Sequence, residues 1–147
     1  MDSLQAISYI TIQKLQEVYD LSVLAYENKA NKDIDTLIFT QLKGYFSKND
    51  TLYAQKIVNT MDSLQVKYVK LELIKSNNSD SLIQSDSIGT VRFNAYYYDK
   101  NKKKFIEKER QANYILKKNP EKFKAEFKFY FTYIGNFDSV TYKKSIR

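Results

Sequence analysis

The side chains able to do chemistry in this chain are its tyrosines, lysines, arginines and carboxylates, because its 147 residues include no histidine and no cysteine. Those two absences exclude a Ser-His triad, a thiolate nucleophile and any zinc or iron site built on nitrogen and sulfur ligands. Paired carboxylates remain open as general acids and bases. The pair Asp33 and Asp35 stands where a helix is predicted to begin, a position at which carboxylates cap the helix and interact with its dipole. We therefore predict no catalytic site, no metal and no cofactor.

Positive charge is concentrated in the second half of the chain. The formal net charge is +7, from 24 basic and 17 acidic residues, and residues 92–128 alone contain 12 basic and 5 acidic ones. A basic sheet face can attract the phosphates of nucleic acid or of lipid headgroups, or it can be a solvated surface that protects strands from edge pairing. The basic residues are 21 lysines and 3 arginines. Since base and phosphate recognition favours arginine, nucleic acid is the weaker alternative.

Aromatic residues supply the candidate binding site. The chain contains 13 tyrosines and 9 phenylalanines, and three tyrosines are consecutive. In a strand of period two, Tyr97 points to the core with Phe93, whereas Tyr96 and Tyr98 point to the other face with Arg92. Exposed tyrosine and arginine are enriched at protein interfaces. We therefore expect Arg92, Tyr96 and Tyr98 to bind a protein partner; the alternatives are that a helix or loop covers these tyrosines, or that they stack on nucleic-acid bases.

The elements that position these residues begin with helices. Apolar residues of the first half recur at intervals of three and four, which predicts amphipathic helices over Leu4–Asn28, Asn31–Gly44 and Leu52–Asp62. The first of these is long enough to extend along a whole small domain. No stretch has the roughly 18 consecutive apolar residues of a membrane span, and no signal peptide opens the chain.

After the third helix the apolar period changes to two and the residues become β-branched and aromatic, which predicts strands. The four predicted strands are Val66–Lys75, Ile88–Tyr98, Lys104–Lys118 and Lys122–Ile134. The segment 76–86 is predicted to be a polar loop, and 99–103 a hairpin turn. The last strand is expected to place on one face Phe123, Ala125, Phe127, Phe129, Phe131 and Tyr133.

Helices followed by strands with short connections predict an α+β fold with N-terminal helices packed on a four-stranded antiparallel sheet. One domain is expected over residues 1–147, with helices over about 3–62, the sheet over about 66–134 and a short tail over 135–147. A chain of this length can bury a sizeable core without disulfides or metal.

The element order is similar to the nuclear-transport-factor-like cone, in which a curved sheet wraps around the helices. Within it, the segment Thr90–Phe93 resembles the Val-Arg-Phe motif in the second strand of the VirB-eight-like scaffold proteins of bacterial type IV secretion systems. A second segment resembles the Asn-Pro-Leu-Gly-Phe turn of the same family. Asn119, Pro120 and Phe123 match that turn, while residues 121 and 122, Glu and Lys, replace its Leu and Gly.

The resemblance implies the periplasmic domain of a bacterial inner-membrane protein, with a membrane helix that would precede this chain. We accordingly expect about 20 apolar residues to be encoded upstream of Asp2. It further implies a non-enzymatic assembly scaffold that forms a homodimer and binds other channel components. Asn119, Pro120 and Phe123 would then contact partners.

Two other functions remain open. Similar cones in other families enclose a pocket in which Asp and Tyr catalyse isomerisation or dehydration, and such an enzyme requires a cavity lined by a buried acid with a perturbed pKa. A scaffold instead fills the interior with apolar side chains, and the phenylalanines of the last predicted strand favour filling. The third possibility, nucleic-acid binding by the basic sheet, predicts an affinity that falls steeply with salt.

Overall fold

The computed structural model describes residues 3–80, 87–119 and 126–137. The elements in chain order are α1 (Ser3–Glu27), α2 (Lys32–Lys43), α3 (Leu52–Leu64), β1 (Tyr68–Asp80), β2 (Ser87–Tyr98), β3 (Lys104–Asn119) and β4 (Glu126–Asn136). The strands form one open antiparallel sheet in the order β1-β2-β3-β4. The predicted α+β class, with three N-terminal helices on a four-stranded antiparallel sheet, is confirmed.

The helix ends follow from local hydrogen bonds. The Asn31 side chain accepts a hydrogen bond of 3.3 Å from the backbone N–H of Ile34, so Asn31 is the predicted N-cap of α2. At the end of α3, Gln65 adopts a left-handed conformation, with φ of 54°, and its N–H bonds the carbonyl of Asp62. Helix α3 therefore ends at Leu64, two residues beyond the predicted Asp62.

Part of the polar loop predicted over residues 76–86 is a strand in the structure. Residues 76–80 continue β1, where Ser76 is opposite Val91 and Asp80 is opposite Ser87. These side chains favour turns, but pairing with β2 gives partners to the N–H and C=O groups of alternate residues, and this overrides local preference. Residues 81–86, the rest of the predicted loop, lie outside the described part of the chain.

The last strand departs from strict alternation. A bulge between Asn113 and Tyr114 of β3 inserts an extra residue into β4, so that the buried positions are Phe131 and Ile134. Tyr133 is only half-buried and packs edge-on against Tyr53 of α3. Its predicted place in the core is therefore taken by Ile134. The start of the predicted strand, including Phe123 and Ala125, lies outside the described residues, and β4 itself extends to Asn136, into the predicted tail.

The helical half is attached to both edges of the sheet. On the β1 edge, the Gln16 side chain donates to the Val69 carbonyl at 2.8 Å and accepts from the Leu71 N–H at 3.3 Å, which are the bonds that a neighbouring strand would make. On the β4 edge, Phe131 donates its N–H to the Tyr45 carbonyl at 2.8 Å, and its own carbonyl accepts from the N–H of Ser47 at 2.9 Å. Part of each edge is thereby protected from pairing with other chains.

The core lies between α1 and one face of the sheet. The ring of Tyr19 is 6.2 Å from that of Phe93 and 6.4 Å from that of Tyr97. The large side chains that are fully buried in the described residues include Leu15, Tyr19, Leu42, Ile57, Met61, Phe93, Tyr97, Tyr114 and Phe131. Such close-packed aromatic and aliphatic groups supply most of the favourable free energy of folding.

Substitution of Gly89 tests this packing, because Gly89 lies against the ring of Tyr114. A Cβ at Gly89 would approach that ring to 2.1 Å, and Tyr114 is fully buried and stacked on Phe129. We expect Gly89→Ala to lower the free energy of unfolding by about 1–3 kcal/mol, measured by urea denaturation. Gly135→Ala is the matched control, because its Cβ meets the hydroxyl end of the half-buried Tyr133, which can move. Equal losses in the two variants would contradict the packing argument.

Candidate protein-interaction face

The outer face of β2, which points away from the helices, carries the predicted binding residues. Alternation along β2 buries Val91, Phe93, Ala95 and Tyr97 and leaves half-buried Arg92, Asn94, Tyr96 and Tyr98. Arg92, Tyr96 and Tyr98 therefore share one face of the sheet, as predicted from period two. Their surroundings on that face differ.

Arg92 is held by contacts within the domain. Its Nη2 atom is 2.5 Å from Oε1 of Glu109 on β3, and its guanidinium lies 4.0 Å from the ring centroid of Phe137. A charge-assisted hydrogen bond together with a cation–π contact fixes the side chain. Arg92 is thus engaged with the rest of the domain before any partner binds.

Tyr96 is also engaged. Its hydroxyl donates to Oε1 of Glu72 on β1 at 3.1 Å, and the ammonium of Lys104 lies 5.0 Å from its ring centroid. Desolvation and the hydrogen bond to Glu72 raise the pKa of Tyr96 above its ordinary value. The ring therefore remains a neutral phenol at physiological pH, with its hydroxyl directed to β1.

Tyr98 belongs to the open part of this face. It lies directly opposite Tyr68 on β1, and Tyr68 is 52% exposed. The two tyrosines border a shallow depression of about 250 Å³, whose other lining residues are Val69, Lys70 and Lys102. We call this feature the hairpin depression, because Lys102 belongs to the β2–β3 turn. It combines two aromatic surfaces with two positive charges.

The β2–β3 turn makes this end of the face strongly positive. The carboxylate of Asp99 accepts hydrogen bonds from the backbone N–H groups of Asn101 and Lys103, at 2.8 and 3.0 Å. Asp99 is thus directed toward the backbone. Four lysines here form no ion pair within the described part of the chain, namely Lys70, Lys100, Lys102 and Lys103.

The remaining predicted partner residues are on the turn after β3. The backbone of Asn119 ends β3 opposite Glu126 of β4. Pro120 and Phe123 lie outside the described residues. Arg92, Tyr96 and Tyr98 therefore lie on one face. The position of the turn relative to that face lies outside the described part of the chain.

Sequence reasoning missed Tyr68 and Lys102. The predicted strand alternation places Val69 in the core and so places Tyr68 on the outer face, but its pairing with Tyr98 depends on a register that no local pattern specifies. Lys102 stands at a position of the turn that needs positive φ, with φ of 62°. The bonds between Asp99 and Lys103 close a three-residue loop over 100–102, and in such a loop glycine usually occupies this position.

The carboxylates give the pocket-enzyme alternative little support. Asp33 and Asp35 lie in the first turn of α2, and one carboxylate oxygen of Asp35 is buried. Every Asp and Glu whose side-chain burial the structure describes is nevertheless at least partly exposed. In the same ranges, no group of three or more acidic residues is arranged to hold a metal ion. At the surface, the hydroxyl of Tyr45 donates a hydrogen bond to the carboxylate of Glu17.

Comparisons with known proteins give no further assignment. No protein-family model matches the chain, and neither curated proteins nor solved structures give a significant match. Of the helices in the described ranges, none is both long enough and apolar enough to cross a membrane. The functional argument therefore depends on the residues themselves.

The Tyr45–Glu17 pair predicts a pH dependence. Burial, followed by the hydrogen bond and charge of Glu17, raises the pKa of Tyr45 from 10.0 to about 12. Because the folded state disfavours the ionised phenol, the stabilisation is fully present below pH 10 and is lost as pH rises toward 12. We expect Glu17→Gln to bring the pKa back toward its ordinary value, measured by NMR titration of the tyrosine Cζ atoms with Tyr45→Phe for assignment. A Tyr45 titration that Glu17→Gln leaves unchanged would contradict the pairing.

Proposed function

We propose that this protein is a non-enzymatic assembly scaffold that binds protein partners through the outer face of its sheet. The observation that carries the proposal is the hairpin depression, where the exposed Tyr68 and the half-buried Tyr98 lie side by side, next to Lys70 and Lys102. Tyrosine offers a large rigid contact area together with a hydroxyl, which explains its enrichment at interfaces. Arg92, on the same face, is held by Glu109 and Phe137.

The filled interior supports a scaffold rather than a pocket enzyme. The space between α1 and the sheet is occupied by fully buried aromatic side chains, among them Tyr19, Phe93, Tyr97 and Phe131. Burial, ahead of the charge of Tyr19, raises the pKa of Tyr97 above its ordinary value. Such a phenol stays protonated at neutral pH and is poorly suited to act as a base. Packing is the simpler role for these rings.

The family that we propose is the VirB-eight-like scaffold of type IV secretion systems, with this chain as a periplasmic domain of an inner-membrane protein. Its membrane helix would lie outside this chain, and its partners would be a second copy and other channel components. The support for this family is the sequence resemblance at Thr90–Phe93, where Val91 and Phe93 are core residues and Arg92 pairs with Glu109 on the outer face. Attachment of the helical half to both sheet edges supports the finer form of that fold, a nuclear-transport-factor-like cone.

Site-specific photo-crosslinking in the source cell tests whether the face binds protein. A benzophenone side chain at position 98 is expected to crosslink a specific protein, because Tyr98 borders the open depression. The control position is Tyr9, which is 55% exposed and lies on α1, outside the residues that line the hairpin depression. Crosslinks to nucleic acid at position 98, or the same products from positions 98 and 9, would contradict the proposed function.

Replacement of Phe123 tests the turn that the family resemblance implies. We expect Phe123→Ala to weaken self-association by about tenfold or more, measured by sedimentation equilibrium, because aromatic anchors dominate interfaces. Urea denaturation of the same variant separates the two roles of the ring, since loss of a core phenylalanine costs roughly 3–5 kcal/mol. Normal self-association in a variant that unfolds early would make Phe123 a core residue only, and Pro120→Gly then tests the turn independently.

A further inference from the structure

Lys102 has a backbone conformation that lysine seldom adopts. It is one of two non-glycine residues with positive φ in the described ranges, at 62°, and the other is Gln65, at 54°. The left-handed region is sterically unfavourable for a residue with a Cβ, and glycine or asparagine usually occupies it. A persistent conformation of this kind often marks a functional position.

The turn itself explains why positive φ is needed at this position. The N–H of Lys102 donates to the carbonyl of Asp99 at 3.0 Å, and the N–H of Asp99 donates to the carbonyl of Lys103 at 3.0 Å. These bonds define a tight turn followed by one left-handed residue, a hairpin form in which that residue is commonly glycine. The backbone bonds require no lysine side chain, so a lysine here is unfavourable for the fold.

Gln65 and Lys102 differ in what their side chains do. The Gln65 side chain donates to the carbonyl of Asp62 at 2.6 Å, which helps to end α3 and offsets its strained backbone. The Lys102 ammonium forms no hydrogen bond or ion pair with the described residues. Lys102 instead lines the hairpin depression, beside Tyr68 and Tyr98. The residue with the unfavourable backbone conformation therefore borders the open site.

We propose that the hairpin depression binds a short acidic segment of a partner protein, with Lys102 contacting a carboxylate and the two tyrosines covering the adjoining side chain. This rests on the proposed protein-binding function and adds the chemistry of the partner. Lys70 lines the same depression and supplies a second positive charge. Complementary charges at such a surface increase both specificity and the rate of association.

The charges around the depression favour a short acidic peptide over a phosphate polymer or a membrane. The same outer face carries Glu72, Glu107 and Glu109, which lie in register with residues 94 and 96 of β2. Glu109 and Glu107 pair with Arg92 and Lys104, so the middle of the face offers little net positive charge to a continuous row of phosphates. At the hairpin end, Lys70 and Lys102 give the depression two positive charges, which a few carboxylates are sufficient to match.

The test compares Lys102→Asn with Lys48→Asn. Asparagine tolerates the left-handed conformation, so Lys102→Asn is expected to keep or raise the Tm. Lys48, an exposed lysine in the turn after α2, is the control that removes the same charge elsewhere. The probe is a short fluorescein-labelled peptide of glutamates around a central leucine, followed by fluorescence anisotropy, with a glutamine version for comparison. We expect Lys102→Asn to weaken binding about threefold to tenfold and Lys48→Asn to have little effect.

The outcomes separate this inference from the proposed function. Equal binding of the glutamate and glutamine peptides, equal effects of the two lysine substitutions, or a clear loss of Tm in Lys102→Asn would overturn the acidic-segment proposal. Preferential binding of oligothymidylate, or of phosphatidylglycerol vesicles, would overturn it in favour of nucleic acid or membrane. If the peptide fails while position 98 still crosslinks a specific protein, the scaffold function stands and only the acidic chemistry is wrong.

Discussion

The contact of Tyr19 with β2 decides which side of the sheet meets the helices. Its ring packs against Phe93 and Tyr97, at 6.2 and 6.4 Å between centroids, and all three side chains are buried. Because successive residues of a strand point to opposite faces, this contact directs Tyr96 and Tyr98 outward. A slip of one residue would exchange the two sets, at the cost of burying polar groups and exposing the core. The outer face is therefore a consequence of how the core is packed.

The charges on that face then divide it into two parts. In the middle, Arg92 is paired with Glu109, and Glu72 accepts the hydrogen bond of Tyr96, so that charge and polarity are matched locally. At the hairpin end, the carboxylate of Asp99 is bonded to backbone N–H groups, and the nearby Lys70, Lys100, Lys102 and Lys103 have no ion pair among the described residues. Residue type alone would rank Arg92 as the strongest interface residue. The contacts instead leave the hairpin end as the part that is open to a partner.

Periodicity predicted the helices, the strands and the face shared by Arg92, Tyr96 and Tyr98, because those properties depend on neighbours along the chain. Periodicity failed where the structure of one strand depends on its pairing with a neighbouring strand. The polar segment 76–80 is a strand because β2 pairs with it, and Ile134 replaces a predicted core residue because of a bulge opposite β3. The pairing of Tyr68 with Tyr98 likewise depends on the register between β1 and β2. Local sequence patterns therefore could not predict that Tyr68 meets Tyr98 at the hairpin depression.

Charge also limits how a scaffold of this kind can associate with copies of itself. In a two-fold dimer the same patch faces itself, so contact through the hairpin depression would bring Lys70 and Lys102 of each copy together. Screening at physiological salt extends over about 8 Å, which leaves such close like charges strongly repelled. Contacts between copies are therefore expected elsewhere on the surface. The depression remains available to a different protein. The charge pattern therefore assigns self-association and partner binding to different surfaces.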